Sequence, residues 1–391
     1  MTVNGLVEDG WQGVRDAFEA NLASNDETGA AVAVYHRGHK VVDLCGGDFD
    51  ASGASAYDDQ TLQLVFSTTK GVTAIALAMC VQRGLIDYDA KVSRYWPEFA
   101  EHGKGDATVA QLVSHQCGLI APDGPLTLAD ALDWDTITAR LAATKPDWPI
   151  GSGHGYHAVT FGWLAGELIR RVDPQGRTPG RFVADEISGP LGLEMWIGLP
   201  EQYESRVSPL ISRPADQAVD PAMQAMIDQF MGPDSRGGRA LFLNGALAGD
   251  GMFNRRDVHA AEIPAANCIT NASSLAKLYA ATMGTIDGVQ LLEEDTRNRV
   301  RATVTPAGEP DLCLMMPTTF GMGVMTYGQF TPFAGAGSYG HPGAGGSVAC
   351  AQPERQLAFG YVMNTMAQNL AGDVRAQNLL DAATAAADAS R

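Results

Sequence analysis

The chain has 391 residues, of which 45% are hydrophobic and 18% charged, as is ordinary for a folded globular protein. Its formal net charge is −18, from 27 basic and 45 acidic residues, and that field repels nucleic acid and anionic membrane surfaces, so neither is expected as a partner. No stretch approaches the roughly 20 apolar residues of a membrane span, and the first ten residues lack the basic start and apolar middle of a secretory signal, which predicts a cytoplasmic protein.

The N-terminal region predicts one helix followed by a hairpin. Residues 8–23 place apolar side chains at helical spacing and predict an amphipathic helix. Two β-prone runs, Ala30–His36 and His39–Cys45, flank the dipeptide Arg37-Gly38, which is typical of a two-residue hairpin turn.

A long apolar helix is predicted next. The apolar run Leu62–Phe66 leads into Ser67-Thr-Thr-Lys70, which opens a helix that continues to Arg83. This helix is apolar nearly all round and is therefore expected to lie buried at the centre of the fold. Gly84 fits the left-handed position that ends such a helix.

The remaining elements form a helical block and then a strand-rich tail. Residues 200–260 are irregular and are expected to shape the substrate pocket, and residues 335–346 are dense in glycine. The predicted helices span residues 108–114, 127–144, 158–171, 273–283 and 368–388, and the predicted strands span residues 320–327, 347–351 and 357–364.

This order of elements predicts an α/β fold with an antiparallel sheet built from both ends of the chain and flanked by helices. Residues 1–60 and 310–391 would form this α/β domain, and residues 61–309 a mostly helical domain. An active site between the two domains would be typical. The six cysteines form no Cys-x-x-Cys pair and none has zinc spacing to a histidine, so free structural thiols, no metal and no cofactor are predicted.

Ser67 and Lys70 are candidates for nucleophilic catalysis. A serine hydroxyl needs a base to take its proton, and an enclosed lysine with a lowered pKa can serve. Residues three apart share one helix face, and a serine at a helix start has a free backbone N–H for an oxyanion. A second such pair, Ser274 and Lys277, lies on an amphipathic helix where the lysine is expected to be solvated. The alternative for Ser67 and Lys70 is a helix cap followed by a lysine whose amine reaches water.

Two glycine-rich segments supply further candidates. Tyr156 lies in a loop just before a helix, where a phenolate near a cationic lysine can act as a general base. His341, Gly343 and Ala344 lie in a segment leading into a strand; the Ala344 N–H could donate to an oxyanion and His341 could contact the leaving group or Tyr156. Equally, the tyrosine could merely cover a helix start and the second segment could be a plain turn.

These three pieces, in this order, resemble the serine β-lactamase and penicillin-binding-protein superfamily, and in particular the family VIII carboxylesterases, which are similar to class C β-lactamases. The resemblance covers nearly the whole chain. It is also carried by Arg83-Gly-Leu-Ile-Asp-Tyr-Asp89, Tyr95-Trp-Pro-Glu-Phe99, Thr108-Val-Ala-Gln-Leu-Val-Ser-His-Gln-Cys-Gly-Leu119, Pro264-Ala-Ala-Asn267 and Phe320-Gly-Met-Gly323.

The resemblance implies a role for each candidate. Ser67 would be acylated, Lys70 and Tyr156 would share general-base duty, and the N–H groups of Ser67 and Ala344 would hold the oxyanion. The chain departs from the β-lactamase pattern at two places. Tyr-x-Asn is replaced by Tyr156-His157-Ala158, and Lys-Thr-Gly by His341-Pro342-Gly343.

The first departure removes the amide that would contact a β-lactam side chain, and the second weakens the cation that would contact a substrate carboxylate. Both argue against β-lactams, so the sequence predicts hydrolysis of short, neutral carboxylic esters. The small-molecule ester is the expected partner. Two alternatives remain open: an amidase, β-lactamase or acyltransferase with the same Ser-Lys-Tyr mechanism, and a catalytically silent binding protein. The absence of Gly-x-Ser-x-Gly argues against the nucleophile elbow of α/β-hydrolases.

Overall fold

The structure is a computed structural model, and it describes residues 2–24, 27–212, 229–306, 308–367 and 372–390. Its strands are β1 (Val3–Val7), β2 (Gly29–His36), β3 (His39–Gly47), β4 (Gln63–Leu64), β5 (Met195–Trp196), β6 (Ile211–Ser212), β7 (Ile269–Thr270), β8 (Met325–Thr326), β9 (Tyr339–Pro342), β10 (Val348–Gln352), β11 (Leu357–Met363) and β12 (Thr365–Met366).

The helices fill the middle of the chain and flank it at both ends. The α-helices are α1 (Gln12–Ala23), α2 (Thr69–Gln82), α3 (Val109–Val113), α4 (Leu128–Leu132), α5 (Trp134–Ala143), α6 (Thr160–Val172), α7 (Pro179–Val183), α8 (Gly189–Leu191), α9 (Arg236–Phe242), α10 (Arg256–Ala260), α11 (Ala272–Ala281), α12 (Glu294–Arg301) and α13 (Val374–Ala389). Within the described ranges, no helix combines the length and apolar character that crossing a bilayer requires.

The main sheet has seven strands in the order β1-β3-β2-β11-β10-β9-β8, paired antiparallel throughout. The predicted hairpin is confirmed, because β2 and β3 pair across Arg37 (φ +51°) and Gly38 (φ +81°), the positive values that a tight hairpin turn needs. Strand β11 joins the C-terminal strands to β2. The predicted fold class, an antiparallel sheet with flanking helices, is therefore confirmed.

Helices cover both faces of this sheet. A Cβ on Gly360 of β11 would meet backbone of α11, whereas the neighbouring Tyr361 bonds Glu27, a partner of Arg375 on α13. Since side chains alternate along a strand, α11 and α13 lie on opposite faces. Helix α11 lies within residues 61–309, the predicted helical domain, yet it packs on β11 and β2 of the sheet. The domain boundaries therefore stay a prediction.

The C-terminal strands differ from the prediction in extent. The strand expected over residues 320–327 is wrong in length, since it is reduced to Met325–Thr326. A turn closed by Gly321 N–H to Val324 O at 2.9 Å, with Gly323 at φ +85°, interrupts it. Conversely, Tyr339–Pro342 forms a strand inside the glycine-dense segment, because pairing with β10 supplies its hydrogen bonds. The first residues of the predicted final helix, 368–371, lie outside the described residues.

Helix α2 is the centre of the molecule. Its residues from Thr69 to Cys80 are all buried, as its apolar sequence predicts. It packs against α6, α7 and α12 and also contacts β9. The helix ends as predicted, with Gly84 at φ +70° directly after the last turn. Its first turn therefore lies between the helical block and the edge of the sheet.

Candidate active site

Ser67 lies in a short 3₁₀ turn, Phe66–Thr68, that runs directly into α2. Phe66 has φ +43°, a left-handed conformation that is strained for a bulky side chain. The turn is tied to the segment before β7, because Val65 N–H donates to Cys268 O at 3.0 Å and Cys268 N–H donates to Thr69 Oγ1 at 2.9 Å. These hydrogen bonds to Cys268, which lies outside α2, therefore hold the strained backbone of the turn in place.

Lys70 faces Ser67 from one turn along, as the spacing predicts. Its Nζ lies 2.9 Å from Ser67 Oγ, 2.6 Å from Ala158 O and 3.0 Å from Ala265 O. The side chain has no exposed area, and none of these three partners is a carboxylate. Burial without a counter-charge lowers the pKa of Lys70 well below its ordinary value.

The second Ser-x-x-Lys pair is not built for catalysis. Ser274 Oγ accepts a hydrogen bond from Glu194 N–H at 3.0 Å. Lys277 donates to Leu191 O at 2.6 Å and forms an ion pair with Asp287 at 2.7 Å. The expectation that Lys277 is merely solvated is wrong, since a carboxylate holds it. The two side chains face different partners, so the structure separates this pair from Ser67 and Lys70.

Tyr156 lies beside Lys70, whose Nζ is 4.7 Å from the centre of the phenol ring. The ring is buried and stacks between Phe320 and His341, with ring centres 6.1 and 5.9 Å away. Burial raises the pKa of Tyr156, while a hydrogen bond with the Ser67 side chain acts in the opposite direction. The phenol is therefore protonated at neutral pH and lies within reach of the serine hydroxyl.

Asp311 holds the tyrosine loop in place and was not predicted from the sequence. Its Oδ1 accepts hydrogen bonds from the N–H groups of Tyr156 (3.0 Å), Cys313 (2.8 Å) and Leu314 (2.9 Å), and its Oδ2 accepts one from Thr318 Oγ1 (2.9 Å). The carboxyl is buried. It thus joins the loop before α6 to the segment after residue 310.

His341 is a neutral side chain with a fixed tautomer. Its Nδ1 lies 2.7 Å from Pro342 O, and because a carbonyl only accepts, Nδ1 carries the proton. Burial, and secondarily the nearby Lys70, lower the pKa of His341 to about 3. The ring therefore carries no charge at the place where the β-lactamase pattern has a lysine.

The backbone N–H groups of Ser67 and Ala344 are the predicted donors to an oxyanion. Ser67 lies at the start of one 3₁₀ turn and Ala344 at the start of another, Ala344–Gly346. The first N–H groups of a helix have no acceptor within it, and neither group bonds to the residues that the structure describes. The Gly343 N–H instead donates to Ser347 O at 2.7 Å, so it shapes the loop rather than the hole.

Ser67, Tyr156, His341 and Ala344 line one cavity of about 300 Å³. Its other described lining residues are uncharged, and most are apolar: Phe66, Ala158, Val159, Met231, Leu241, Phe242, Leu247, Gly249, Phe253, Ala266, Leu314, Met325, Phe330 and Pro342. Six of them, from Met231 to Phe253, come from the region expected to shape the pocket. Leu314, Met325 and Phe330 were not anticipated, because nothing in their spacing marks a pocket wall.

His157 and Ala158 occupy the positions after Tyr156 and differ in their use. His157 turns away from the cavity, since its Nδ1 bonds Gly155 O at 2.6 Å and its Nε2 accepts Leu119 N–H at 2.9 Å. Ala158 lines the cavity and gives its carbonyl to Lys70. In the described parts of the chain, no group of three or more His, Cys, Asp or Glu side chains is arranged to hold a metal ion.

Known proteins are similar to this chain over most of its length. The model of the Beta-lactamase family matches residues 14–384. The chain is 34% identical over 361 residues to Esterase/beta-lactamase LipL of Mycobacterium tuberculosis (strain ATCC 25618 / H37Rv), which covers 90% of this chain and 80% of that protein.

Two crystal structures show the same fold over the full length. A family VIII carboxylesterase superposes with a TM-score of 0.88 at 33% identity, covering 99% of this chain and 100% of that chain. A penicillin-binding protein homolog from Caulobacter crescentus superposes with a TM-score of 0.86 at 37% identity and the same coverage. The resemblance predicted from the motifs is thereby confirmed.

Proposed function

The chain belongs to the beta-lactamase family, and from this premise we propose that it is a carboxylesterase that cleaves short, neutral esters through an acyl-enzyme on Ser67. The observation that carries the proposal is the environment of Lys70. A neutral amine has two N–H bonds and one lone pair; donating to Ala158 O and Ala265 O leaves the lone pair directed at Ser67 Oγ, 2.9 Å away.

Acylation follows from this arrangement. Ser67 Oγ attacks the ester carbonyl carbon while its proton passes to Lys70, with Tyr156 sharing the transfer. The carbonyl oxygen becomes an oxyanion that the N–H groups of Ser67 and Ala344 stabilise. The tetrahedral intermediate then expels the alkoxide, which takes a proton from the Lys70–Tyr156 pair. The product of this stage is an ester between Ser67 and the acyl group.

Deacylation repeats these steps with water. The Lys70–Tyr156 pair takes a proton from a water molecule, which attacks the acyl carbon in the same oxyanion hole. Collapse of the intermediate breaks the bond to Ser67 Oγ, and the proton returns to the serine. The buried environment supports both stages, because a low dielectric strengthens each N–H contact to the developing negative charge.

The cavity favours neutral substrates. None of its described lining residues is an Asp, Glu, Lys or Arg, and His341 stays uncharged. A carboxylate on the substrate would therefore lose its hydration without gaining a counter-charge. A volume of about 300 Å³ lies at the lower end for ligand pockets, which fits short acyl and alcohol groups.

The test is hydrolysis of aryl acetate and butyrate by purified protein and by Ser67→Ala. We expect the variant to lose at least ~10³-fold in kcat, since it removes the nucleophile. Ser274→Ala is the matched control, because Ser274 belongs to the other Ser-x-x-Lys pair. Intact-mass measurement with an activated ester should show the acyl adduct in the Ser274 variant and not in the Ser67 variant. Full activity in Ser67→Ala would refute the proposal.

A second candidate activity is β-lactam hydrolysis, which is favoured by the name of the relative LipL, Esterase/beta-lactamase. β-Lactam hydrolysis would proceed through the same acyl-enzyme on Ser67. The neutral His341 argues against it as the main activity, because a β-lactam carboxylate would find no cation there. A nitrocefin turnover rate matching that of the aryl ester would reverse this ranking. A cytoplasmic location remains part of the proposal and is tested by fractionation of the native host.

A further inference from the structure

Two buried hydroxyls outside the chemistry described above connect the two halves of the oxyanion hole. Ser347 Oγ lies 2.9 Å from Val65 O and 3.1 Å from Thr68 Oγ1. Thr68 directly follows Ser67, and Ser347 directly follows the 3₁₀ turn that begins at Ala344. Both side chains are buried, with at most 1% of their area exposed. The contact therefore bridges the two backbone segments that supply the N–H donors.

The direction of these hydrogen bonds follows from valence. Val65 O only accepts, so the Ser347 hydroxyl donates its single proton to it. Ser347 Oγ must then accept from Thr68 Oγ1, which becomes the donor. Thr68 thus donates to Ser347, and Ser347 donates to Val65 O, so both hydroxyl protons are used in hydrogen bonds. Removing either hydroxyl leaves a buried polar atom without its partner.

The two segments meet too closely for an intervening side chain. A Cβ on Gly343 would lie 2.2 Å from both Ser347 Oγ and Val65 O. The Gly343 N–H also donates to Ser347 O at 2.7 Å, which closes the loop around Ala344. The loop thus rests directly on the turn that carries the nucleophile, with the hydroxyl pair at the point of contact.

The same contact supports the strained turn. Val65 O accepts from Ser347 Oγ and from Thr68 N–H, the latter at 3.1 Å. These two donors fix the peptide that precedes Phe66, whose φ is +43°. Since the Ser67 N–H follows Phe66, its direction depends on this carbonyl being held. On its outer side the loop is fixed independently, where Gly345 O accepts from Arg375 Nη2 at 2.8 Å.

We propose that Thr68 and Ser347 form a hydroxyl latch that sets the separation and direction of the Ser67 and Ala344 N–H groups. They are positioning residues, which touch no substrate. The inference rests on the proposed esterase function, in which these N–H groups stabilise the oxyanion. A misaligned donor weakens the transition state more than the bound substrate, so the latch should act on kcat.

The experiment compares four variants with the wild type on one aryl ester. Thr68→Val keeps the shape and removes the hydroxyl, Thr68→Ser keeps the hydroxyl, and Ser347→Ala and the Thr68→Val/Ser347→Ala double variant complete a cycle. We expect Thr68→Val and Ser347→Ala to lose about 10- to 100-fold in kcat. KM and the pH profile should be unchanged, Thr68→Ser should stay near wild type, and the double variant should be no worse than the poorer single variant.

A spectroscopic measurement separates positioning from folding. The acyl-enzyme carbonyl stretch shifts to lower frequency when the oxyanion hole polarises it, so the latch variants should show a higher frequency than wild type. Ser188→Ala is the matched control, because its buried hydroxyl donates to a backbone carbonyl, Met195 O, at 3.0 Å. It should change neither kcat nor the carbonyl frequency.

The outcomes are distinct. An unchanged carbonyl frequency in latch variants, a Thr68→Ser variant as poor as Thr68→Val, or a multiplicative double variant would overturn the latch. Absence of any acyl adduct on wild-type Ser67 would remove the esterase proposal and the latch with it. A normal adduct with unchanged latch variants would remove the latch alone.

Discussion

At the scale of single residues, the site depends on Lys70 having no carboxylate among its hydrogen-bond partners. Lys70 is fully buried and its partners are a hydroxyl and two carbonyls. A carboxylate beside it would hold the amine in its protonated form and remove its lone pair. The neighbouring His341 and Tyr156 are neutral at physiological pH. The low charge of the cavity therefore supports both the proposed mechanism and the proposed preference for neutral esters.

The pH dependence of kcat/KM should identify the base. Protonation removes the lone pair of Lys70, so activity should fall as pH decreases through its lowered pKa. His341, with a pKa of about 3, does not titrate between about pH 5 and 9. We therefore expect His341→Gln to leave the midpoint of the acidic limb unchanged, whatever its effect on the rate. A midpoint that moves by more than about one unit would assign the limb to the histidine.

The sequence predicts Ser67 and Lys70 because helix geometry places residues three apart on one face. It also predicts Tyr156, His341 and Ala344 as candidates, since glycine-rich loops mark close backbone approach. Asp311 was not predicted, because its role is to join two loops that are far apart in sequence. No local pattern distinguishes a carboxylate that gathers backbone N–H groups from one that faces water.

At the scale of elements, loops bring Tyr156 and Ala344 to the start of α2, which carries Lys70. Asp311 binds the N–H groups of Tyr156, Cys313 and Leu314, so one carboxylate sets both the tyrosine and a wall of the cavity. The helices supply rigid attachment points on either side. A change at this carboxylate should therefore affect stability and catalysis together.

Asp311→Ala tests this coupling. Four donors, three of them buried, lose their acceptor, so we expect unfolding in urea to require about 3 kcal/mol less free energy. We also expect kcat to fall roughly tenfold or more, because Tyr156 is displaced. Asp311→Asn retains an oxygen for the three backbone donors and should recover most of both losses. Wild-type stability and kcat in Asp311→Ala would contradict the role.

Elements with strong local patterns were predicted well, and elements made by pairing were not. The hairpin and α2 follow from alternation and apolar content. Strand β9 was missed, because glycines and a proline give it no strand pattern and β10 supplies its bonds. The strand over residues 320–327 was overextended, since its apolar residues continue through a glycine turn that alternation does not reveal.

At the scale of the whole molecule, the cavity draws its walls from distant parts of the chain. Ser67 comes from the turn before α2, Tyr156 from the loop before α6, and Ala344 from the segment between β9 and β10. Another side of the cavity is lined by Leu241 and Phe242 of α9 and by Leu247, which follows this helix. Substrate size is therefore set by loops that the central helix and sheet hold in place.

Reducing the cavity should change the preferred acyl length. Leu314 lines the cavity, so Leu314→Trp should lower kcat/KM for hexanoate relative to acetate by about tenfold or more. Met316→Trp is the control, because Met316 is exposed and does not line the cavity. An equal change in both variants, or no change in the acetate-to-hexanoate ratio, would show that Leu314 does not limit acyl length.

The pairing of β2 with β11 has a consequence for biosynthesis. His36 pairs with Leu357, so the N-terminal hairpin has no neighbour on that edge until β11 has left the ribosome. At roughly 5–20 residues per second, this wait lasts tens of seconds, during which that edge of the apolar hairpin remains uncovered. The hairpin must therefore persist without this neighbour until β11 is available, and holdase chaperones should raise the yield of active enzyme more than slower initiation does.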